Sequence, residues 1–161
     1  VQAGLLAASF PLMNVVARPG GGYVSDRFGR KKTLLIILAG IAVGFFMMSG
    51  IDSSWPIALA ALVTVFCSCF VQAGAGSVFA VVPLIKRRLT GQIAGMTGAY
   101  GNVGGVTYLT VLSFVEPSVF FAFIGLSSVI AILAVALLLR EPKGGMAEIL
   151  PDGTVHMIEV S

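Results

Sequence analysis

Charged residues are scarce in this 161-residue sequence: they make up 11% of it, whereas hydrophobic residues make up 57%. Ordinary soluble domains carry about 25% charged residues, so this composition excludes a soluble domain with a charged surface. The sequence therefore predicts an integral membrane protein. The formal net charge of +3 is too small and too local to indicate a nucleic-acid partner.

Metal-binding and redox-active residues are also few. The two cysteines, Cys67 and Cys69, match no metal or redox spacing, and they indicate small core residues. The many glycines lie inside an apolar segment and no Gly-Lys-Ser/Thr follows them, so they do not predict a nucleotide-binding enzyme. We expect no metal, no cofactor and no enzymatic activity.

Five long apolar segments dominate what is present. A membrane-spanning helix needs about 20 mostly apolar residues. Five segments meet this requirement: 1–24, 34–51, 55–85, 92–115 and 118–139. We therefore predict an all-α membrane protein with five transmembrane helices in residues 1–139.

The basic residues follow a pattern that predicts the orientation of these helices. Asp52 and Glu116 are the only charged residues of the second and fourth connectors. The first and third connectors and the tail hold nine of the ten basic residues: Arg27, Arg30, Lys31, Lys32, Lys86, Arg87, Arg88, Arg140 and Lys143. Because Lys and Arg stay on the cytoplasmic side, the first helix starts outside. The tail, residues 140–161, then ends in the cytoplasm, and the protein lies in the plasma or inner membrane.

The tail is too short for a domain. Turn residues at 151–153 lie between two short β-forming stretches, which indicates a short β-hairpin. An isolated hairpin is marginal in water. His156, the one histidine, lies in this tail and is interpreted as a solvated strand residue.

Arg18 is the only charged residue inside any of the apolar segments. A charged group at membrane depth is costly, and it usually faces a cavity or a substrate path. Because no Asp, Glu or His lies in the five segments, these spans predict an anion site without a carboxylate proton relay. Proton symport and anion exchange both stay open. Arg18 could also snorkel, since it lies about 10 Å from the cytoplasmic end.

Asn14 lies one helical turn before Arg18, on the same face. We expect it to hydrogen-bond the anion or to orient the guanidinium; an amide that only packs between helices is the alternative. Gln72 and the small residues that follow it, 73–77, indicate another closely packed helix.

The first connector carries a motif in which a glycine precedes Asp-Arg-x-Gly-Arg-Lys. Its residues are Gly22, Asp26, Arg27, Gly29, Arg30 and Lys31. The motif resembles the loop signature of the major facilitator superfamily, which joins two antiparallel helices. We expect Asp26 to end one helix and Gly29 to permit a tight reversal. The acid and the arginines would pair with neighbouring helix ends and hold one conformational state; a cluster that only orients the protein is the alternative.

The fourth apolar segment is rich in glycine, with Gly91, Gly95, Gly98, Gly101, Gly104 and Gly105 near its start. At 100° per residue these glycines form a smooth face about half the helix wide, with Asn102 at its centre and Tyr108 at the end of one stripe. Small residues let membrane helices approach closely. The face therefore either packs against a neighbour or lines the path of the anion.

Residues 95–105 resemble the nitrate signature of the nitrate/nitrite porter family, as cyanobacterial-type nitrate permeases carry it. Residues 17–21 resemble that family's substrate arginine and its flanking residues. The resemblance implies spans eight to twelve of a twelve-helix fold, alternating access, and an arginine from each half clamping the planar anion. Taken with the helix spacing described above, it predicts a site formed by Arg18, Asn14, Gly98, Gly101, Asn102, Gly104 and Tyr108.

The same resemblance implies the partners: a nitrate or nitrite anion, membrane lipid and a missing N-terminal half. We expect residues upstream, since the sequence opens with Val1 and shows no cleavable signal peptide. Spans two to six of a first half would show the same order of motifs, but the terminal tail favours the second half. The alternatives in function are a facilitator for sugars or drugs and a non-transporting membrane subunit.

Overall fold

The structure, a computed structural model, describes residues 2–52, 54–85, 87–139, 146–149 and 155–158. Five helices follow one another in the chain: α1 (Gln2–Phe28), α2 (Arg30–Ser49), α3 (Ile57–Ile85), α4 (Thr90–Leu112) and α5 (Pro117–Leu138). A single 3₁₀ turn, Arg87–Leu89, precedes α4. Strands β1 (Met146–Ile149) and β2 (Val155–Ile158) pair antiparallel. Lys86, Arg140, Lys143 and the turn expected at 151–153 lie outside the described residues.

Three of the described helices are long and apolar enough to cross a membrane: Arg30–Ser49, Ile57–Pro83 and Pro117–Leu138. The predicted helical membrane architecture is thus confirmed in this coarse form. α4 is less apolar because glycines, Gln92 and Asn102 occupy positions where larger aliphatic side chains would lie.

The junction between α1 and α2 is shorter than the apolar pattern predicts. α1 continues to Phe28, and α2 begins at Arg30. The expectation that Asp26 ends a helix is therefore wrong. Apolar residues mark the part of a helix that suits the membrane, but backbone hydrogen bonding carries α1 one further turn into the polar connector. The break comes at Gly29, whose φ of 94° turns the chain.

The helices pack most extensively as α1 with α3, α2 with α5, and α2 with α3. The buried apolar side chains lie on α2, α3 and α5: Leu34, Ile37, Ala42, Val63, Cys67, Val82 and Phe120. α4 makes few contacts, all with the 3₁₀ turn, α3 and α5, and it has no buried residue. Within the described residues, α1 and α4 do not touch.

α2 and α5 run antiparallel and are joined at both ends. At one end the Ser118 hydroxyl donates a hydrogen bond to the Ser49 carbonyl. At the other, the Lys31 ammonium donates to the Ala136 carbonyl over 2.8 Å. A cation at the carboxyl end of a helix also complements the helix dipole. These bonds fix the register of the two helices.

Candidate functional site

α1 and α3 cross in direct backbone contact close to Arg18. Gly21 lies against the backbone of Ala73, and Gly76 lies against the carbonyl of Arg18. A Cβ atom at either glycine would overlap these atoms. The Ser77 hydroxyl donates a hydrogen bond to the Gly21 carbonyl over 3.1 Å and is fully buried. The close packing predicted for residues 73–77 is present here, and its partner is α1.

Arg18 lies on an exposed part of α1. Its guanidinium carbon lies 5.1 Å from the centre of the Phe79 ring on α3. None of the described carboxylates is within 4.0 Å of the guanidinium. A cation–π contact holds a guanidinium while leaving its positive charge intact. The side chain is therefore placed, but its charge is not neutralised by an acid of the described chain.

Asn14 is partly buried one turn from Arg18. Its side-chain oxygen Oδ1 is buried and has no hydrogen-bond partner among the described residues. A buried polar atom without a partner is uncommon and calls for an explanation.

The glycine face of α4 is open. A Cβ atom at Gly98, Gly101 or Gly104 would meet nothing within 4 Å, and Asn102 is exposed. Tyr108 differs, since its ring lies against α5, with centroids 6.4 Å from Phe120 and 6.1 Å from Phe123. The structure does not bring the α4 residues into contact with Arg18.

The connector motif forms a local network. Arg30 and Asp26 form an ion pair of 3.0 Å across one helix break, and Arg27 donates a hydrogen bond to the Tyr23 hydroxyl over 3.1 Å. Lys31 reaches α5, as described above. Gly22 faces α3, where a Cβ atom would lie 3.7 Å from the Gly76 carbonyl.

Sequence reasoning missed three of these features: Phe79 beneath Arg18, the hydroxyl of Ser77, and the bond from Lys31 to α5. The small residues around Ser77 did indicate close packing, but they did not identify the opposing helix. Nothing in the sequence distinguished Phe79 from the other ten phenylalanines. Over the described part of the chain, no group of three His, Cys, Asp or Glu residues is placed to hold a metal ion.

Apolar helices that pack through glycine and are long enough to cross a membrane define a helical integral membrane protein. The family model of the Major Facilitator Superfamily matches residues 1–156. The chain belongs to the Major Facilitator Superfamily.

The curated relatives are transporters rather than enzymes. The nitrate/nitrite transporter NrtP of Picosynechococcus sp. is 47% identical over 163 residues, covering 91% of this chain and 30% of the relative. NrtP of Nostoc punctiforme is 48% identical over 148 residues, with the same two shares. The high affinity nitrate transporter 2.5 of Arabidopsis thaliana is 38% identical over 153 residues, covering 89% of this chain and 30% of the relative.

The resemblance to the nitrate/nitrite porter family, in its cyanobacterial form, is thereby confirmed. The chain spans about 30% of the length of these relatives. No solved structure matches it.

Proposed function

We propose that this chain is the C-terminal part of a secondary transporter that moves nitrate or nitrite across the membrane. Its five helices would be spans eight to twelve of twelve, with the tail in the cytoplasm. Transport would proceed by alternating access, in which two halves rock around a site near the membrane midplane. Nitrate or nitrite is proposed as the substrate because the relatives are nitrate/nitrite transporters and share 47–48% of their residues with this chain where the sequences match.

The observation that carries the proposal is that Arg18 is exposed and has no carboxylate partner among the described residues. It lies on a helix between apolar residues, it is exposed in this chain, and its guanidinium rests over Phe79. Since no described carboxylate pairs with it, its charge is available to an anion. An isolated charge at membrane depth is expected to serve a substrate path.

A guanidinium suits a flat anion because its planar fork donates two parallel hydrogen bonds. We propose that Arg18 is one arm of an arginine pair and that the other half supplies the second arm. Asn14 lies on the same face one turn away, and its unpartnered Oδ1 is suited to accept a hydrogen bond from a neighbouring N–H group, such as that of the guanidinium.

The open glycine face of α4 is a surface on which the N-terminal half of the transporter could pack. Gly98, Gly101 and Gly104 have no neighbour within 4 Å of a Cβ atom, and a face of this kind admits another backbone or a small ligand. We propose that the N-terminal half covers this face, which would then line the anion path with Asn102 at its centre. Tyr108 would border that path from its position against α5.

The test is uptake of labelled nitrate into vesicles that contain the full-length transporter. Arg18→Lys keeps the charge and removes the planar fork. The loss of one charge-assisted bond, about 1.5–3 kcal/mol, predicts a ten- to hundredfold rise in the KM for nitrate. Arg88→Lys, an exposed position outside the helices of the site, is the matched control and should transport normally.

Normal uptake by Arg18→Lys would refute the role of Arg18. If the unmodified transporter moves sugars or drugs and leaves nitrate outside, the alternative facilitator is correct. Absence of transport for all solutes in well-folded protein would favour the non-transporting subunit.

A further inference from the structure

The backbone of α1 is weak where it carries Arg18. Pro19 has no N–H group, so the carbonyl of Val15 loses its helical hydrogen bond. Gly20, Gly21 and Gly22 follow and contribute no side chains to stiffen the helix. On its own, this stretch of α1 would hold the arginine loosely.

α3 supports α1 at this stretch. Gly76 lies against the Arg18 carbonyl and the Gly22 amide nitrogen, which are the two ends of one turn of α1. The Ser77 hydroxyl bonds the Gly21 carbonyl between them. The contact is thus made with the backbone of the turn that begins at Arg18.

The Ser77 hydroxyl bonds a neighbouring helix rather than its own. Inside a helix, a Ser or Thr hydroxyl commonly bonds the carbonyl four residues earlier in the same helix. Six hydroxyls in α3, α4 and α5 do so: Thr64, Thr97, Thr107, Thr110, Ser127 and Ser128. Ser77 is fully buried and instead donates to the Gly21 carbonyl of α1.

We propose that Ser77 is a positioning residue for Arg18. Its hydroxyl fixes the turn of α1 that carries the arginine, and so sets where the guanidinium meets the anion. This inference rests on the function proposed above. Ser77 itself does not touch the substrate; its effect passes through the backbone of Gly21.

The test uses the full-length transporter and nitrate uptake. Ser77→Ala removes the bond, and Ser77→Cys replaces the hydroxyl by a thiol, which is a weak donor. Both should raise the KM for nitrate about three- to tenfold, the effect of one hydrogen bond, with less than a twofold change in maximal rate. Ser128→Ala is the matched control, because that buried hydroxyl bonds only its own helix; its KM should be unchanged.

A double-mutant cycle separates positioning from general packing. In the Arg18→Lys background, Ser77→Ala should change the KM less than twofold, since the fork it positions is gone. An equal fold-change in both backgrounds would overturn the inference. An unchanged KM in Ser77→Cys would also overturn the inference, whether or not the KM of Ser77→Ala is changed.

The two proposals fail differently. If Arg18→Lys impairs uptake and both Ser77 variants transport normally, the positioning role is wrong while the anion site stands. If Arg18→Lys itself transports normally, the proposed function of Arg18 fails, and the positioning role fails with it.

Discussion

At the scale of single residues, Gly29 has a backbone conformation that favours glycine. Its φ of 94° and ψ of 134° lie where residues with a side chain rarely occur, and no other described residue has a positive φ. This conformation lets α2 begin one residue after α1 ends. It also places Arg30 where it pairs with Asp26.

Gly29→Ala should destabilise the full-length protein by about 1–3 kcal/mol, because an L side chain is strained in this conformation. The measurement is the Tm of the purified protein in detergent. Gly50→Ala is the matched control: Gly50 ends α2 with a φ of −90° that alanine adopts easily, and its Cβ would meet only the Met47 carbonyl at 3.6 Å. Equal losses of Tm in the two variants would show that the backbone of Gly29 is unstrained.

At the scale of helices, some glycines lie in a helix crossing and others lie on an open surface. Gly21 of α1 and Gly76 of α3 let two backbones meet, whereas the glycines of α4 leave its surface open. Close helix crossings in membranes depend on such small residues. A glycine allows a close crossing only when it lies on the side of its helix that faces another helix.

Neighbouring glycines of α1 should therefore respond in opposite ways. Gly21→Ala drives a methyl group into the backbone of Ala73, and overpacking of this kind costs about 1–3 kcal/mol. Gly20→Ala meets nothing within 4 Å and should leave stability unchanged or raise it slightly. Thermal unfolding of the two full-length variants checks this; a lower Tm for Gly20→Ala than for Gly21→Ala would contradict the crossing.

The number and order of the helices could be predicted from the sequence because each apolar segment is long enough to span a membrane. The tight reversal at Gly29 was also predictable from its motif. The end of α1 was not, since polar residues such as Asp26 continue a helix as well as they end it. The contacts of Arg18 with Phe79 and of Lys31 with α5 depend on how helices rotate against each other, and local sequence does not encode that rotation.

At the scale of the whole molecule, the helices form two close pairs, α1 with α3 and α2 with α5, joined through α2 and α3. α4 stands apart with one face open. Arg18 is exposed, and the glycines of α4 have no neighbour within 4 Å of a Cβ atom in the described chain. In the transporter proposed above, the N-terminal half would cover both.

The predicted orientation can be tested by labelling engineered cysteines in the full-length protein. Lys32→Cys and Asp52→Cys, both at exposed positions near opposite ends of α2, are made in a cysteine-free background that includes Cys67→Ser and Cys69→Ser. The positive-inside rule predicts that an impermeant maleimide reaches Lys32→Cys only in inside-out vesicles and Asp52→Cys only in right-side-out vesicles. Labelling of both positions from one side would contradict the topology; the background protein should stay unlabelled.

The bonds at the two ends of α2 and α5 constrain which helices could slide in the proposed transport cycle. Moving α5 along α2 by one residue, about 1.5 Å, would break the Lys31–Ala136 and Ser118–Ser49 bonds together. In that cycle these two helices would move as one rigid body. Axial displacement inside this bundle would fall instead to α4, whose sparse contacts with the described chain resist it least.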